Sequence, residues 1–397
     1  MSYKMKRVGD VIEEIAMGPF GSNIKVDCFV PSGIPVLNGS NLTGFTLSED
    51  SFNYVTPEKA ASLKKAVASR GDVVITHRGT LGQIAYIPVD SKYDKYVISQ
   101  SQFRVRCKKD EMLPEYMVYF FHSREGRHQL LSNSSQVGVP ALARPSSTFQ
   151  ELEMPVPPIE VQQAIADTLS ALDVRIAVNT AINHHLEQMA QAIFKSWFVD
   201  FEPAKPFTEI VQVLGGGTPK TTTTEYWDGA IPFFTPKDAS GLYVLTTEKS
   251  LTEAGLNHCN SRLYPVNTVF VTARGTVGKL AMAGVPMAMN QSCYALVGNS
   301  GYGQHFVYHL ALETVEHLKH KASGAVFDAI VTRDFESEIV AAPSVEEVSS
   351  FEGKIKPIYE ALLNNANESI RLAALRDTLL PRLMSGELSI ANLGSAK

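Results

Sequence analysis

Long apolar runs are missing from this chain. No stretch approaches the ~20 residues that a membrane-spanning helix needs, and the polar opening Met1-Ser-Tyr-Lys-Met-Lys-Arg-Val-Gly-Asp10 has no signal-peptide core. A cytoplasmic protein is therefore expected. Cysteine is scarce: Cys28, Cys107, Cys259 and Cys293 lie far apart and form no Cys-x-x-Cys pair. That spacing argues against a zinc knuckle or a redox motif and predicts buried thiols in a reducing compartment. An excess of basic charge is also missing. The net charge of −5 speaks against a simple basic nucleic-acid binder. With 44% apolar and 19% charged residues the composition suggests neither disorder nor a fibrous protein, and 397 residues suffice for two or three domains.

The distribution of charge says more than its sum. Residues 1–150 carry 18 Lys/Arg against 14 Asp/Glu, whereas residues 151–203 carry 2 against 8. Residues 204–335 balance at 10 and 10, and residues 336–397 carry 6 against 9. The acid is concentrated in two segments, so the remainder can still offer a basic face.

What is present is a repeat. Val73-Val-Ile-Thr-His-Arg-Gly-Thr-Leu-Gly82 matches Val269-Phe-Val-Thr-Ala-Arg-Gly-Thr-Val-Gly278 at an offset of 196. Ile34–Gly44 parallels Ile231–Gly241, and Ser99–Phe103 parallels Asn290–Tyr294. Gly138 with Gly324, and Phe149 with Phe335, continue the series at offset 186. In each half, short apolar runs alternate with Gly, Pro, Asn and Asp clusters. Val73–Thr76, Gln83–Ile87, Phe103–Arg106, Val269–Thr272 and Ser292–Val297 read as strands. Pro114–Leu131 and Gln304–Lys321 have helical spacing. The fold class is α/β (α+β), with twisted mixed sheets in two similar domains.

A long helix is predicted after each half. The first runs from Ile159 to Phe201 without Pro or Gly, with a seam of Ile165, Leu169, Leu172, Ile176, Asn179, Asn183, Leu186, Ala190, Ile193 and Trp197. The second, Val345–Leu380, carries Phe351, Ile355, Ile358, Leu362, Asn365, Ser369, Leu372, Arg376 and Leu379. Spacing that alternates 4 and 3 marks a heptad seam. The paired Asn179 and Asn365 are expected to set register when the helices pack. Pro357 should kink the second helix or mark its true start. About 40 residues at ~1.5 Å each would give a rod on the order of 60 Å. Antiparallel helices of that length would hold two similar domains apart about a pseudo-twofold axis, a geometry suited to half-sites about one duplex turn, ~34 Å, apart. The boundaries read 1–158 and 204–343 for the globular domains, 159–203 and 344–388 for the helices, and 389–397 for a tail.

Catalytic patterns fail at each checkpoint. There is no Asn/Asp-Pro-Pro-Tyr/Phe motif and no Gly-x-Gly-x-x-Gly opening a βαβ unit. Gly275-Thr-Val-Gly-Lys279 and Gly215-Gly-Gly-Thr-Pro-Lys-Thr221 lack the spacing of a nucleotide phosphate loop. His184-His185 are adjacent, so they point to different helix faces and lack the i,i+4 partner of a metal site. No metal ligand set and no catalytic residue is proposed from the sequence.

Polar loop residues repeated in both halves remain. His77-Arg78-Gly79-Thr80 and Ala273-Arg274-Gly275-Thr276 each follow a strand. Gly admits close approach of a ligand, and Arg can grip a phosphate or the O6/N7 edge of guanine. The Gly-rich loops around Gly18–Lys25 and Gly215–Thr224 offer Ser22, Asn23, Lys25, Lys220 and Thr221 to a phosphate backbone. Lys237 and Lys279 are further candidates. In the strand Ser101–Arg106, alternation places Gln102, Arg104 and Arg106 on one face, whereas the second half has Cys293 and Ala295 there. The two halves would then read different sequences.

Taken together, the chain resembles the specificity subunit of type I restriction–modification systems over nearly its full length. The carrying segments are Gly18-Pro-Phe-Gly-Ser22, the two Arg-Gly-Thr-x-Gly turns, Met154-Pro-Val-Pro-Pro-Ile-Glu-Val-Gln162, Phe194-Lys-Ser-Trp-Phe-Val-Asp-Phe201 and Leu379-Leu-Pro-Arg-Leu-Met-Ser-Gly-Glu-Leu388. The resemblance implies two target recognition domains separated by two antiparallel coiled-coil helices, each domain reading half of an asymmetric site on double-stranded DNA. It implies that the helices dock two N6-adenine methyltransferase subunits, with a restriction/translocase subunit joining for cleavage. S-adenosylmethionine and ATP/Mg would belong to those partners, and none of them to this chain. A coiled-coil scaffold whose α/β domains bind proteins is the competing reading; it predicts no salt-sensitive affinity for DNA.

Overall fold

A computed structural model describes residues 3–19, 23–132, 134–135, 139–299, 301–321 and 329–390. The chain divides into two compact units, residues 1–174 with 372–397, and residues 175–371.

The first unit is built on the strand Asp72–Thr76, a β-branched run buried on both faces. It lies inside a four-stranded antiparallel sheet, in the order Ile12–Met17, Gln102–Cys107, Asp72–Thr76, Ile84–Tyr86. Alternation sends Val73, Ile75, Phe103 and Val105 to one face. There they meet Tyr116, Phe120 and Phe121 of the helix Pro114–His122. Val74 and Ala85 point the other way, onto a second sheet ordered Asn53–Val55, Ile34–Val36, Lys95–Val97, Val67–Ser69. The result is helix on sheet on sheet, with one core in each gap. The single helix predicted over 114–131 is two, Pro114–His122 and Arg124–Leu131. Ser123 ends the first in an extended conformation and caps the second, its hydroxyl accepting from the Gly126 N–H at 3.2 Å.

The second unit repeats this plan. Val211–Gly215, Cys293–Gly298, Val269–Thr272, Leu280–Ala283 and Tyr243–Val244 form its larger sheet. Lys249–Leu251, Trp227–Phe234 and Ala288–Met289 form the smaller one. Parallel pairing of Phe233–Phe234 with Ala288–Met289 repeats that of Val36 with Val97. The helix predicted over Gln304–Lys321 is present with those bounds and packs Phe306, Val307, Leu310 and Val315 into the unit's core. Phe149 and Phe335 are both buried; Gly138 and Gly324 lie outside the described residues.

The first long helix spans Ile159–Phe198, stopping three residues before the predicted end. The second spans Val345–Met384, so Pro357 does not mark its start. In the first unit, Ile165 and Leu169 share a core with Leu380, Leu383 and Met384, and Leu379 packs against it. Arg376 pairs with Asp173 at 2.6 Å. In the second unit the polar seam closes on itself. Asn179 is buried and donates to Glu368 at 2.8 Å; Asn365 donates to Asn183 at 2.9 Å, and Asn183 to the Leu362 carbonyl at 3.1 Å. Residue numbers rise on one helix as they fall on the other, so within each unit the helices are antiparallel. Ile355 and Leu362 are buried in the second unit's core, with Leu186, Ile193, Trp197 and Ile358 packed against it. Leu172, Ile176 and Leu372 are half-buried.

Cys107 and Cys293 are buried, and burial pushes both thiols up to about 12. Cys28 and Cys259 correct the expectation: both are only partly covered. No described helix is long and apolar enough to cross a membrane.

Candidate nucleic-acid interface

The Arg-Gly turns follow the central strands because the strand cannot continue through them. Gly79 and Gly82 sit at φ +90° and +84°, and Gly275 and Gly278 at φ +82° and +75°, conformations that L side chains rarely adopt. The backbone bonds around the two turns match. The His77 N–H donates to the Ser101 carbonyl at 2.9 Å, and the Ala273 N–H to the Ser292 carbonyl at 2.8 Å. Leu142 N–H returns to the His77 carbonyl and Ile330 N–H to that of Ala273, both at 2.9 Å. A Cβ added at Gly79 or Gly275 would meet nothing within 4 Å. The outer face of each turn is open.

Arg78 and Arg274 are exposed at these turns, and neither makes an ion pair among the described residues. In the first unit the turn contributes His77 and Arg78 to a groove of about 1200 Å³. It is lined by Glu14–Met17 of the sheet's edge strand, by Ala61–Ala66, and by Gly18, Pro19, Asn23, His77, Arg78 and Gln100. Three sequence candidates, Asn23, His77 and Arg78, therefore converge on one concavity. Lys64 and Lys65 join them. His77 Nε2 lies 3.2 Å from the Gln100 carbonyl, and burial holds its pKa below the usual histidine value. Lys25 is exposed outside this lining, and Ser22 lies outside the described residues.

Two candidates on the strand Gln102–Cys107 need correction. Gln102 and Arg104 are 0% and 3% exposed, so neither presents a side chain to a duplex. Gln102 accepts from the Ser99 N–H at 2.9 Å, which shapes the loop before the strand. Arg104 is paired inside the domain with Glu14 at 2.7 Å. Period-2 alternation finds their common face correctly but cannot tell that a second sheet covers it.

In the second unit Lys220, Thr221, Arg274 and Lys279 are exposed, and Lys237 is exposed in an ion pair with Glu248 at 3.4 Å. The glycine-rich loops acquire a structural reason. A Cβ on Gly18 would come within 1.9 Å of the Ser99 carbonyl oxygen, and one on Gly216 within 2.2 Å of the Asn290 carbonyl oxygen. These glycines let two backbone segments touch at the same place in both units. The groove also contains Glu14, Lys64, Lys65 and Gln100, which sequence reasoning did not single out. Only the Lys64-Lys65 doublet gave a signal; the others are recruited by sheet pairing.

Among the described residues of the groove, the Ser62 hydroxyl donates to the Lys59 carbonyl at 2.6 Å and His77 faces the Gln100 carbonyl, so no hydrogen bond joins a hydroxyl to a histidine or carboxylate there. Among the described residues, no group of three or more His, Cys, Asp or Glu could hold a metal ion.

Comparison with known proteins agrees with the repeat. The family model of the type I restriction modification DNA specificity domain matches residues 2–188 and again 200–372. The type I restriction enzyme HindI specificity subunit of Haemophilus influenzae is 26% identical, covering 82% of this chain and 88% of that protein. The MjaIX specificity subunit of Methanocaldococcus jannaschii is 24% identical, covering 98% and 94%. The crystal structure of a type I restriction-modification system S subunit from M. genitalium shares the fold, with a TM-score of 0.60 at 14% identity over 97% of this chain and 96% of that one. Two matches of one domain model fall on the two halves that the internal repeat defines, and this chain belongs to the family of type I restriction–modification DNA specificity proteins.

Proposed function

We propose that this chain is the sequence-specific DNA-recognition subunit of a type I or type I-like restriction–modification methyltransferase complex, with no catalysis of its own. Each unit would read one half of a bipartite, asymmetric site. The observation that carries this reading is the duplicated Arg-Gly turn: the same left-handed glycines and backbone bonds present an exposed arginine in each unit, without an ion pair among the described residues. Backbone contacts position a protein on a duplex, and side chains reaching base edges give the sequence. The shared frame suits the first task. Divergence between the units, with Asn23 and His77 in one and Thr221 and Ala273 in the other, suits the second.

The long helices would dock two adenine methyltransferase subunits, and a restriction/translocase subunit would join them where the system cleaves. S-adenosylmethionine and ATP with Mg would be held by those subunits, in the cytoplasm. Mapping methylated adenines in cells with and without this chain tests the proposal. A bipartite methylated motif that disappears with the chain is the expected result. A protein-binding scaffold would instead leave methylation unchanged and show no salt-sensitive affinity for duplex DNA beside its partners.

A further inference from the structure

The first unit contains a buried ion cluster that the second unit builds without. The side chains of Arg104 and Asp72 are 4% and 1% exposed, 3.6 Å apart. Arg104 also donates to Glu14 at 2.7 Å and to the Lys65 carbonyl at 3.2 Å. Arg106 donates to the two carboxylate oxygens of Asp72 at 2.8 and 2.9 Å and approaches Glu14 at 3.4 Å. Strand pairing assigns the counterparts. Ala295 stands for Arg104, Val297 for Arg106 and Gln212 for Glu14, and Thr268 stands for Asp72, each carbonyl accepting from the matching N–H, of Ala283 and of Ile87, at 2.9 Å. Ala295 is fully buried in the core between the two sheets of its unit.

At the two arginine positions the same sheet is thus made with apolar residues, Ala295 and Val297, which need no compensation for losing water. A buried guanidinium does need it. The frame therefore does not explain the cluster; its product does. That product is a carboxylate fixed by two arginines on the edge strand, 41% exposed, in the groove lined by Lys64, Lys65 and Arg78. A groove that only gripped phosphates would be weakened by such a charge. A fixed acceptor among cations is suited to a donor on a base edge, and the major groove offers one on cytosine N4 and one on adenine N6.

We infer that Glu14 is a specificity-determining residue of the first unit, accepting a hydrogen bond from the N4 amino group of a cytosine, the base edge that carboxylates pair with where adenine suits an amide, with Arg104 and Arg106 as its positioning residues. The inference rests on the duplex recognition proposed above. It is tested on the assembled methyltransferase complex, with duplexes carrying the methylated motif and each base pair of it replaced in turn.

Glu14→Gln is expected to reduce discrimination at one position of one half-site from tenfold or more to below about threefold. All other positions should keep their preference, and affinity for unrelated duplex should rise severalfold as a phosphate-repelling charge is lost. Arg104→Met, apolar like its counterpart, should reproduce the single-position loss while the complex still binds through the other half-site. Full discrimination retained by Glu14→Gln, or an equal loss at every position, would overturn the assignment. Failure of the unaltered complex to discriminate any duplex would instead overturn the proposed function.

Discussion

Arg78 and Arg274 occupy one environment twice, which makes them the sharpest residue-scale test. Each is exposed immediately before a left-handed glycine, so truncation should leave folding intact. Arg78→Ala or Arg274→Ala is expected to lower duplex affinity by roughly 1–3 kcal/mol. Relaxed preference at one position would identify base readout, and a uniform loss would identify a phosphate contact. Affinity that does not change would remove the turn from the interface. Glu14 carries a pH signature. Its hydrogen bond from Arg104 holds its carboxyl below the ordinary value of 4.5. A folded pKa below the unfolded one stabilises fully above that ordinary value, and the stabilisation is lost as pH falls through the folded pKa. Melting temperatures of the unaltered chain and Glu14→Gln should therefore differ at neutral pH and converge on acidification. A difference that persists unchanged in acid would show that the ion pair is not its source.

Two kinds of glycine can be separated at the scale of the element. Gly18 and Gly216 are needed because another backbone is in contact with them, and Gly79 and Gly275 because of their φ angles. Ala at Gly79 or Gly275 should cost roughly 1–2 kcal/mol, the penalty of a left-handed conformation. Ala at Gly18 or Gly216 must displace a carbonyl and should cost clearly more, which urea unfolding would measure. Comparable costs at all four positions would refute the distinction. The helices show a related contrast. Ser123 breaks one predicted helix into two because its side chain caps the next. Pro357 fails to break another, where the flanking Phe351, Ile355, Tyr359 and Leu362 are all buried in one core. Tertiary packing outweighs the one backbone hydrogen bond that proline forgoes.

For the whole molecule, the relevant fact is that both long helices contribute to both compact units. The polar seam at Asn179 lies in a single register, through Glu368, Asn365 and Asn183. Inserting four residues beside Asn179 shifts that register and rotates everything beyond it, since four residues exceed one helical turn. The methylated motif is expected to keep both half-sites and change the spacer between them. An unchanged spacer would show that the helices do not set it.

The sequence alone determined the duplication, the sheet-and-helix class of each half, the two long helices and the family. These follow from local and periodic properties: β-branched runs, turns rich in glycine, a 4–3 seam and a repeated Arg-Gly-Thr-x-Gly. Exposure at the repeated turns was legible for the same reason, since a left-handed glycine after a buried strand places its neighbour at the surface. Tertiary structure decided which polar residues are available. Gln102 and Arg104 alternate like a binding face, yet a second sheet covers that face and Glu14 receives the charge instead. The groove joins segments near residues 14, 64, 78 and 100, brought together by strand pairing across the chain. Pairing between distant segments leaves no periodic trace, so no local pattern could have placed Glu14 among those cations.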